Sequence, residues 1–243
     1  KAAAANSLFG GEHEVEIATP EIVRAPAWSD LERLNKEREL VGIYLSAHPL
    51  DEFSVILENV CTTHMAQLSD LTPLHNHDLT LGGIVTGVRE GYTKTGKPFG
   101  VAKVEDYSGT AEFAFFGNEW VEKKNFFAEG MFLFMHGKCQ PRQWKQDEWE
   151  IKINNIELLP EVKDRLIEKL TVTAPLSAIN DEMIMEFSSL VKENPGNAEL
   201  FFYIRDEDGQ MHVNLMSRTL KISVRKDIVN YLKSQPLLDY KIN

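Results

Sequence analysis

The spacing of hydrophobic and polar positions changes along the chain and divides it into four segments. Residues 1–28 hold an alanine run, Gly10-Gly11, alternating Glu and His, Thr19-Pro20 and Ala25-Pro26, with no sustained period, which predicts a flexible arm. One compact apolar pair, Leu8-Phe9, sits inside it. A helical period begins at Ser29, an N-cap with Asp30 and Glu32 in the first turn. Leu31, Leu34, Leu40, Val41 and Tyr44 continue the period until Pro49 ends it, a shorter helix is predicted near Asp51 to Leu57, and an irregular stretch completes a helical connector over 29–77.

Strand alternation takes over at Asp78. Strands are predicted over Leu79 to Arg89, Phe99 to Glu105, Ala111 to Phe116, Met131 to Gln140 and Trp149 to Leu159. A glycine-punctuated hairpin, Glu90 to Pro98, joins the first two, and Asn118 is the expected cap of a short helix between the third and fourth. Pro141 to Asp147 reads as a polar loop. Three meandering strands, a helix and two more strands are the order of an OB-fold, a small closed barrel, over 78–160. Residues 161–243 read as an α+β domain with strands at Lys169 to Ala174, Leu200 to Ile204 and His212 to Met216, helices at Ile179 to Lys192 and Lys226 to Ser234, and a break at Asn194 to Asn197. The fold class is therefore mainly β plus α+β: a five-stranded OB-fold barrel preceded by helices and followed by a small α+β domain.

Composition narrows the function classes. Cys61 and Cys139 are too few for a disulfide framework or a Cys-based zinc site, so a reducing, cytoplasmic setting is the expectation. No apolar run is long enough to span a bilayer, and no membrane role is expected. With 26 basic and 37 acidic residues the net charge is −11, which excludes a chain gripping a polyanion with its whole surface. Residues 1–75 carry 5 basic and 12 acidic side chains, residues 76–160 carry 10 and 12, and residues 161–243 carry 11 and 13. A nucleic-acid site must be local, and the middle third is where to look.

Catalytic patterns are weak. His75 and His77 lack further ligands at metal spacing and read as a solvated turn. Glu105-Asp106 resembles a magnesium pair, but adjacent strand residues point to opposite faces. Cys61 and His64 lack an orienting third group, and neither phosphate-cradling glycine motif is present. No catalytic residue, metal site or cofactor is expected. Binding chemistry is better represented. In an OB-fold the second and third strands, with the 1–2 and 4–5 loops, hold single strands. Those positions supply Arg89, Tyr92, Lys94, Lys97, Phe99 and Lys103 on one side and Arg142, Trp144 and Lys145 on the other. Aromatics stack bases and cations neutralise phosphates. Glu112, Glu148 and Glu150 oppose a polyanion, which keeps open a module that binds protein only. An enzyme with a site between the barrel and the last domain is a third reading.

Lys36-Glu37-Arg38-Glu39-Leu40-Val41-Gly42-Ile43-Tyr44-Leu45-Ser46-Ala47-His48-Pro49-Leu50 resembles the segment before the OB domain of bacterial replicative DNA polymerase III alpha subunits. Thr93 to Gly100 and Val104 to Gly109 are similar to that family's OB hairpin and following turn, so the resemblance runs from about Ser7 to the end. It implies the non-catalytic C-terminal part of a DNA-directed DNA polymerase, a nucleotidyltransferase whose palm, fingers and histidinol-phosphatase-like domain lie upstream. The implied partners are single-stranded template DNA, the sliding clamp and, for the last domain, the clamp-loader tau subunit. Ser7, Leu8 and Phe9 match the last three positions of the family's clamp-binding peptide, while Ala5 replaces its usual glutamine. His48, before Pro49, is expected to cap carbonyls or pack on the barrel, and Leu200-Phe201-Phe202 with Ile228, Tyr231 and Leu232 to form core.

Overall fold

Ser29 starts the first helix as its sequence predicts. In the computed structural model, which describes residues 28–42, 44–142, 145–206 and 211–243 (without the side chains of Asp30, Leu31 and Gln146), helix α1 spans Asp30–Val41. The Ser29 hydroxyl accepts the Glu32 N–H at 3.3 Å, and the Glu32 carboxylate accepts the Ser29 N–H at 2.9 Å. The helix does not run on to Pro49. Gly42 takes the left-handed conformation (φ 88°) and donates its N–H to the Arg38 carbonyl, which closes the helix one residue after Val41. Leu40 and Val41, assigned to a buried stripe by spacing, are 80% and 57% exposed, and Leu34 carries the burial.

A 3₁₀ turn (Asp51–Phe53) leads into α2 (Ser54–Asn59), and together with Leu50 they bury Phe53, Val55, Ile56 and Leu57. Two further 3₁₀ turns, Met65–Ser69 and Thr72–Leu74, occupy the stretch expected to be irregular.

The first sheet contains β1 (Asp78–Tyr92), β2 (Pro98–Glu105), β3 (Thr110–Phe116), β4 (Phe132–Arg142) and β5 (Lys145–Leu158), in the order β3-β2-β1-β4-β5. β1 is long enough to serve two neighbours: Asp78 to Ile84 pair with β4, and Ile84 to Tyr92 pair with β2 around a bulge between Val85 and Gly87. That change of partner coils the sheet around Leu81, Val85, Ala102, Val104, Phe113, Phe115, Leu133, Met135 and Ile153. Helix α3 (Asn118–Lys123) and the turn after it add Trp120 and Phe127, whose rings stack 6.0 Å apart. Gly117, not Asn118, is the N-cap, and Asn118 is the first helical residue.

Two expectations for the barrel need correction. It is not closed: among the described residues β3 and β5 form no ladder. The Met65–Ser69 turn packs against β3 instead, and Met65 is buried in the barrel core at this seam. Nor is 141–147 a loop. β4 runs out to Arg142 and β5 begins at Lys145, and these two residues pair across the strands.

The second sheet has β6 (Lys169–Pro175), β7 (Pro195–Arg205), β8 (His212–Ile222) and β9 (Asp239–Ile242) in the order β8-β7-β6-β9. β6 and β7 are parallel and joined through α5 (Asp181–Glu193), capped by Asn180. The expected break at 194–197 is where β7 begins. Helix α6 (Lys226–Ser234) precedes β9, and α4 (Leu159–Leu166), which spacing did not reveal, buries Leu159 and Val162.

The two sheets share one core. Leu50, Phe53 and Ile56 of the connector touch the same cluster as Ile84 and Phe134 of the first sheet and Leu170, Ile222 and Ile228 of the last domain. Asp51 adds a polar tie, accepting from the Tyr107 hydroxyl at 2.9 Å and from the Lys226 ammonium at 3.3 Å.

Candidate nucleic-acid interface

The β1–β2 hairpin is built to be stiff. Thr93 and Lys97 exchange backbone and side-chain bonds (Thr93 N–H to Lys97 O, 2.8 Å; Lys97 N–H to Thr93 Oγ1, 3.1 Å), holding Lys94 and Lys97 exposed on a fixed turn. The cross-strand register then orders the outer face. Arg89 lies beside Val101 and Ala114, Gly87 beside Lys103 and Glu112, and Gly91 beside Phe99 and Phe116. The Phe99 ring reaches across Gly91, coming within 3.2 Å of where a side chain there would start, so a larger residue would push it away. Phe116, 57% exposed, stacks against Phe99 at 6.1 Å and 29°. Phe116 was missed from the sequence, although pairing it with Phe99 across the two strands would have found it.

Among the described residues, Arg89, Lys94, Lys97 and Lys103 make no ion pair within 4.0 Å. Tyr92, 77% exposed, stands at the hairpin root, one position out of phase with Arg89 and Phe99, so the strand turns it to the other face.

The β4–β5 hairpin differs. Arg142 pairs with Glu148 at 2.9 Å and Glu150 at 3.8 Å, and Lys145 pairs with the same Glu148 at 2.7 Å. Both predicted cations are therefore already matched by carboxylates. Trp144 lies outside the described residues, as do Ser7, Leu8 and Phe9. Between β3 and β5 the open seam leaves a cleft of about 450 Å³, with Ala114 and Phe116 on one wall and Arg142, Trp149 and Ile151 on the other. His75 stacks flat on Trp149 at 3.5 Å and 9°, so it is not the solvated turn residue its surroundings suggest.

The catalytic candidates are occupied by structural work. Glu105 takes Arg38 at 2.7 Å, while Asp106 is buried and accepts N–H groups from Met65, Ser108 and Gly109, fixing the β2–β3 turn. Burial pushes the Cys61 thiol up to about 12, which leaves it protonated and unreactive at neutral pH. His48 packs its ring on Tyr107 of the barrel at 4.6 Å and caps no carbonyl with it among the described residues; Nδ1 accepts the Leu50 N–H at 3.2 Å. Burial, the largest influence, holds the His48 pKa below its ordinary value. No cluster of three or more metal-ligating side chains occurs among the described residues, and no described helix is long and apolar enough to cross a membrane.

Comparison with known proteins agrees with both halves of this architecture. Residues 79–159 match the family model of an OB-fold nucleic acid binding domain, and residues 170–243 match that of the DNA polymerase III alpha subunit, C-terminal domain. The chain resembles the C-terminal region of a DNA polymerase III alpha subunit. DNA polymerase III subunit alpha of Borreliella burgdorferi is 26% identical over 96% of the chain and 20% of that protein. Those of Halalkalibacterium halodurans and Mycobacterium tuberculosis are 27% and 22% identical, over 71% and 85% of the chain and 15% and 17% of those proteins. The chain thus spans a fifth or less of these alpha subunits.

Proposed function

We propose that the chain is a non-catalytic part of a replicative DNA polymerase alpha subunit and holds single-stranded template DNA on the outer face of β2 and β3. The observation that carries this reading is the Phe99–Phe116 pair bordered by Arg89, Lys94 and Lys97, which make no ion pair among the described residues. Stacked rings accept any base, and nearby cations meet the phosphates on either side. Titration of the chain with fluorescent oligo-dT at two salt concentrations tests it. Binding that weakens as salt rises is the expected result, and binding absent at low salt would return the barrel to a protein-only role.

Two protein contacts belong to the same reading. Ser7, Leu8 and Phe9 form a clamp-binding peptide, supported by the family resemblance and by two adjacent apolar anchors of the kind that dock into preformed pockets. Replacing Leu8 and Phe9 by Ala should abolish competition with a clamp peptide and leave oligo-dT binding unchanged. The last domain docks the clamp-loader tau subunit, a reading supported by the apolar groove along α5 and by Ile184, Val213, Leu215 and Leu220, all at least 40% exposed.

A further inference from the structure

Among the described residues, the sheet of β6–β9 is covered on one face only. Leu170, Val172, Ala174, Leu200 and Ile242 are buried in the core that α5 and α6 complete. Strand alternation puts the residues between them on the opposite face, which stands open to solvent. There the register aligns Thr171 with Phe201 and Met216, and Thr173 with Tyr203 and Asn214. Phe201 and Tyr203 are half-buried on an inner strand, two residues apart, beside the threonines of β6. The Tyr203 ring stacks with His212 at 5.0 Å and 28°, and the Lys169 ammonium sits 4.1 Å from the centre of the Phe201 ring.

Charge on this face runs against that of the chain. Lys169, Lys221, Lys241 and Arg205 project from it, against the carboxylates of Glu199 and Asp239: four cations to two acids on a chain of net charge −11. Phe201 lies beside Met216, while the threonines of β6 and the cations border the rings, so polar and basic groups frame the aromatic pair. Val213 and Leu215, which alternate with His212 and Asn214, belong to the other side of the sheet, beside α5.

We propose that this open face is a second platform for single-stranded nucleic acid, with bases stacking on Phe201 and Tyr203 and phosphates meeting Lys169, Lys241 and Arg205. Open sheets with aromatics on central strands read single strands in this way. The platform stands independently of the barrel face and adds length to the strand the chain can hold.

Oligo-dT of about ten and about thirty nucleotides, each carrying one 5-iodouracil for photocrosslinking, tests it on the whole chain. The longer strand is expected to bind more tightly, with crosslinks mapping to Phe201 or Tyr203. Phe201→Ala with Tyr203→Ala should weaken the longer strand by about tenfold and leave the shorter one unchanged. Lys169→Glu with Lys241→Glu, which spares the rings, should do the same and guards against misfolding of the first variant. Crosslinks confined to the barrel, or a length preference that survives both substitutions, would overturn the proposal. Crosslinks that persist on β7 when the barrel face is inactivated would separate its success from that of the barrel site.

Discussion

The β1–β2 and β4–β5 hairpins of the barrel carry similar residue types and opposite electrostatics. Each presents cations near an aromatic side chain, and each belongs to a loop that OB-folds use for single strands. In the first, Arg89, Lys94, Lys97 and Lys103 make no ion pair within 4.0 Å among the described residues, although Glu112 lies beside Lys103 in the β2–β3 register. In the second, Glu148 takes both Arg142 and Lys145, and Glu150 takes Arg142 again. A phosphate arriving at the first hairpin meets unmatched positive charge. At the second it must displace an existing partner, and exposed pairs of this kind hold each other only weakly, by about 0.2–1 kcal/mol. The lesson is that a basic residue counts toward a polyanion site by what surrounds it.

The largest expected effect comes from the rings that the first hairpin frames. Phe99→Ala with Phe116→Ala removes the stacked pair, and stacking is worth roughly 1–3 kcal/mol per base. A fall of at least tenfold in oligo-dT affinity, with circular dichroism unchanged, is expected. Unaltered affinity would mean that bases do not sit on this face and would remove the contrast between the hairpins altogether.

How much of this was legible in the sequence depends on the range of the interaction involved. Short-range signals read well: the Ser29 N-cap with Glu32 in the first turn and the alternation of β2 both reappear in the fold. The α1 terminus did not, because a helical spacing through Tyr44 was preferred over the local signal of Gly42. The open seam between β3 and β5 was hidden too, since it depends on Met65, far away in sequence, packing where a ladder would otherwise close. The site divides the same way. Phe99 and Lys103 follow from alternation, whereas Phe116 required the β2–β3 register and Trp149 required knowing that His75 lies on it. The pairing of Arg142 and Lys145 with Glu148 arises only once the predicted loop becomes a hairpin.

The second prediction sharpens the comparison through salt. Lys94→Ala with Lys97→Ala removes two unmatched cations from the rigid turn. Each phosphate contact on a single strand contributes about 0.7 to the slope of log affinity against log salt, so losing both should flatten that slope by about 1.4. Affinity at low salt should fall several-fold and converge on that of the unaltered chain as salt rises. An unchanged slope would place the phosphates elsewhere, even if the rings still hold bases.

The smallest effect is expected where the cations are already matched, and its direction depends on which partner is removed. Arg142→Ala with Lys145→Ala deletes charges that Glu148 and Glu150 neutralise, so oligo-dT affinity at moderate salt should change by less than about twofold, the scale of an exposed ion pair. Glu148→Gln acts in the opposite sense. It keeps the hairpin's shape, releases Lys145 and leaves Arg142 only its longer contact to Glu150 at 3.8 Å, making positive charge available beside the β3–β5 cleft. Binding at low salt should then strengthen by about twofold, with a salt slope steeper by up to about 0.7 for one added phosphate contact. The paired titrations decide between two causes of the hairpins' difference. If Glu148→Gln strengthens binding, the glutamate is what silences the β4–β5 hairpin. If instead Arg142→Ala with Lys145→Ala weakens binding as much as the Lys94 and Lys97 substitutions do, the ion pairs open on contact with DNA and the two hairpins are equivalent in solution.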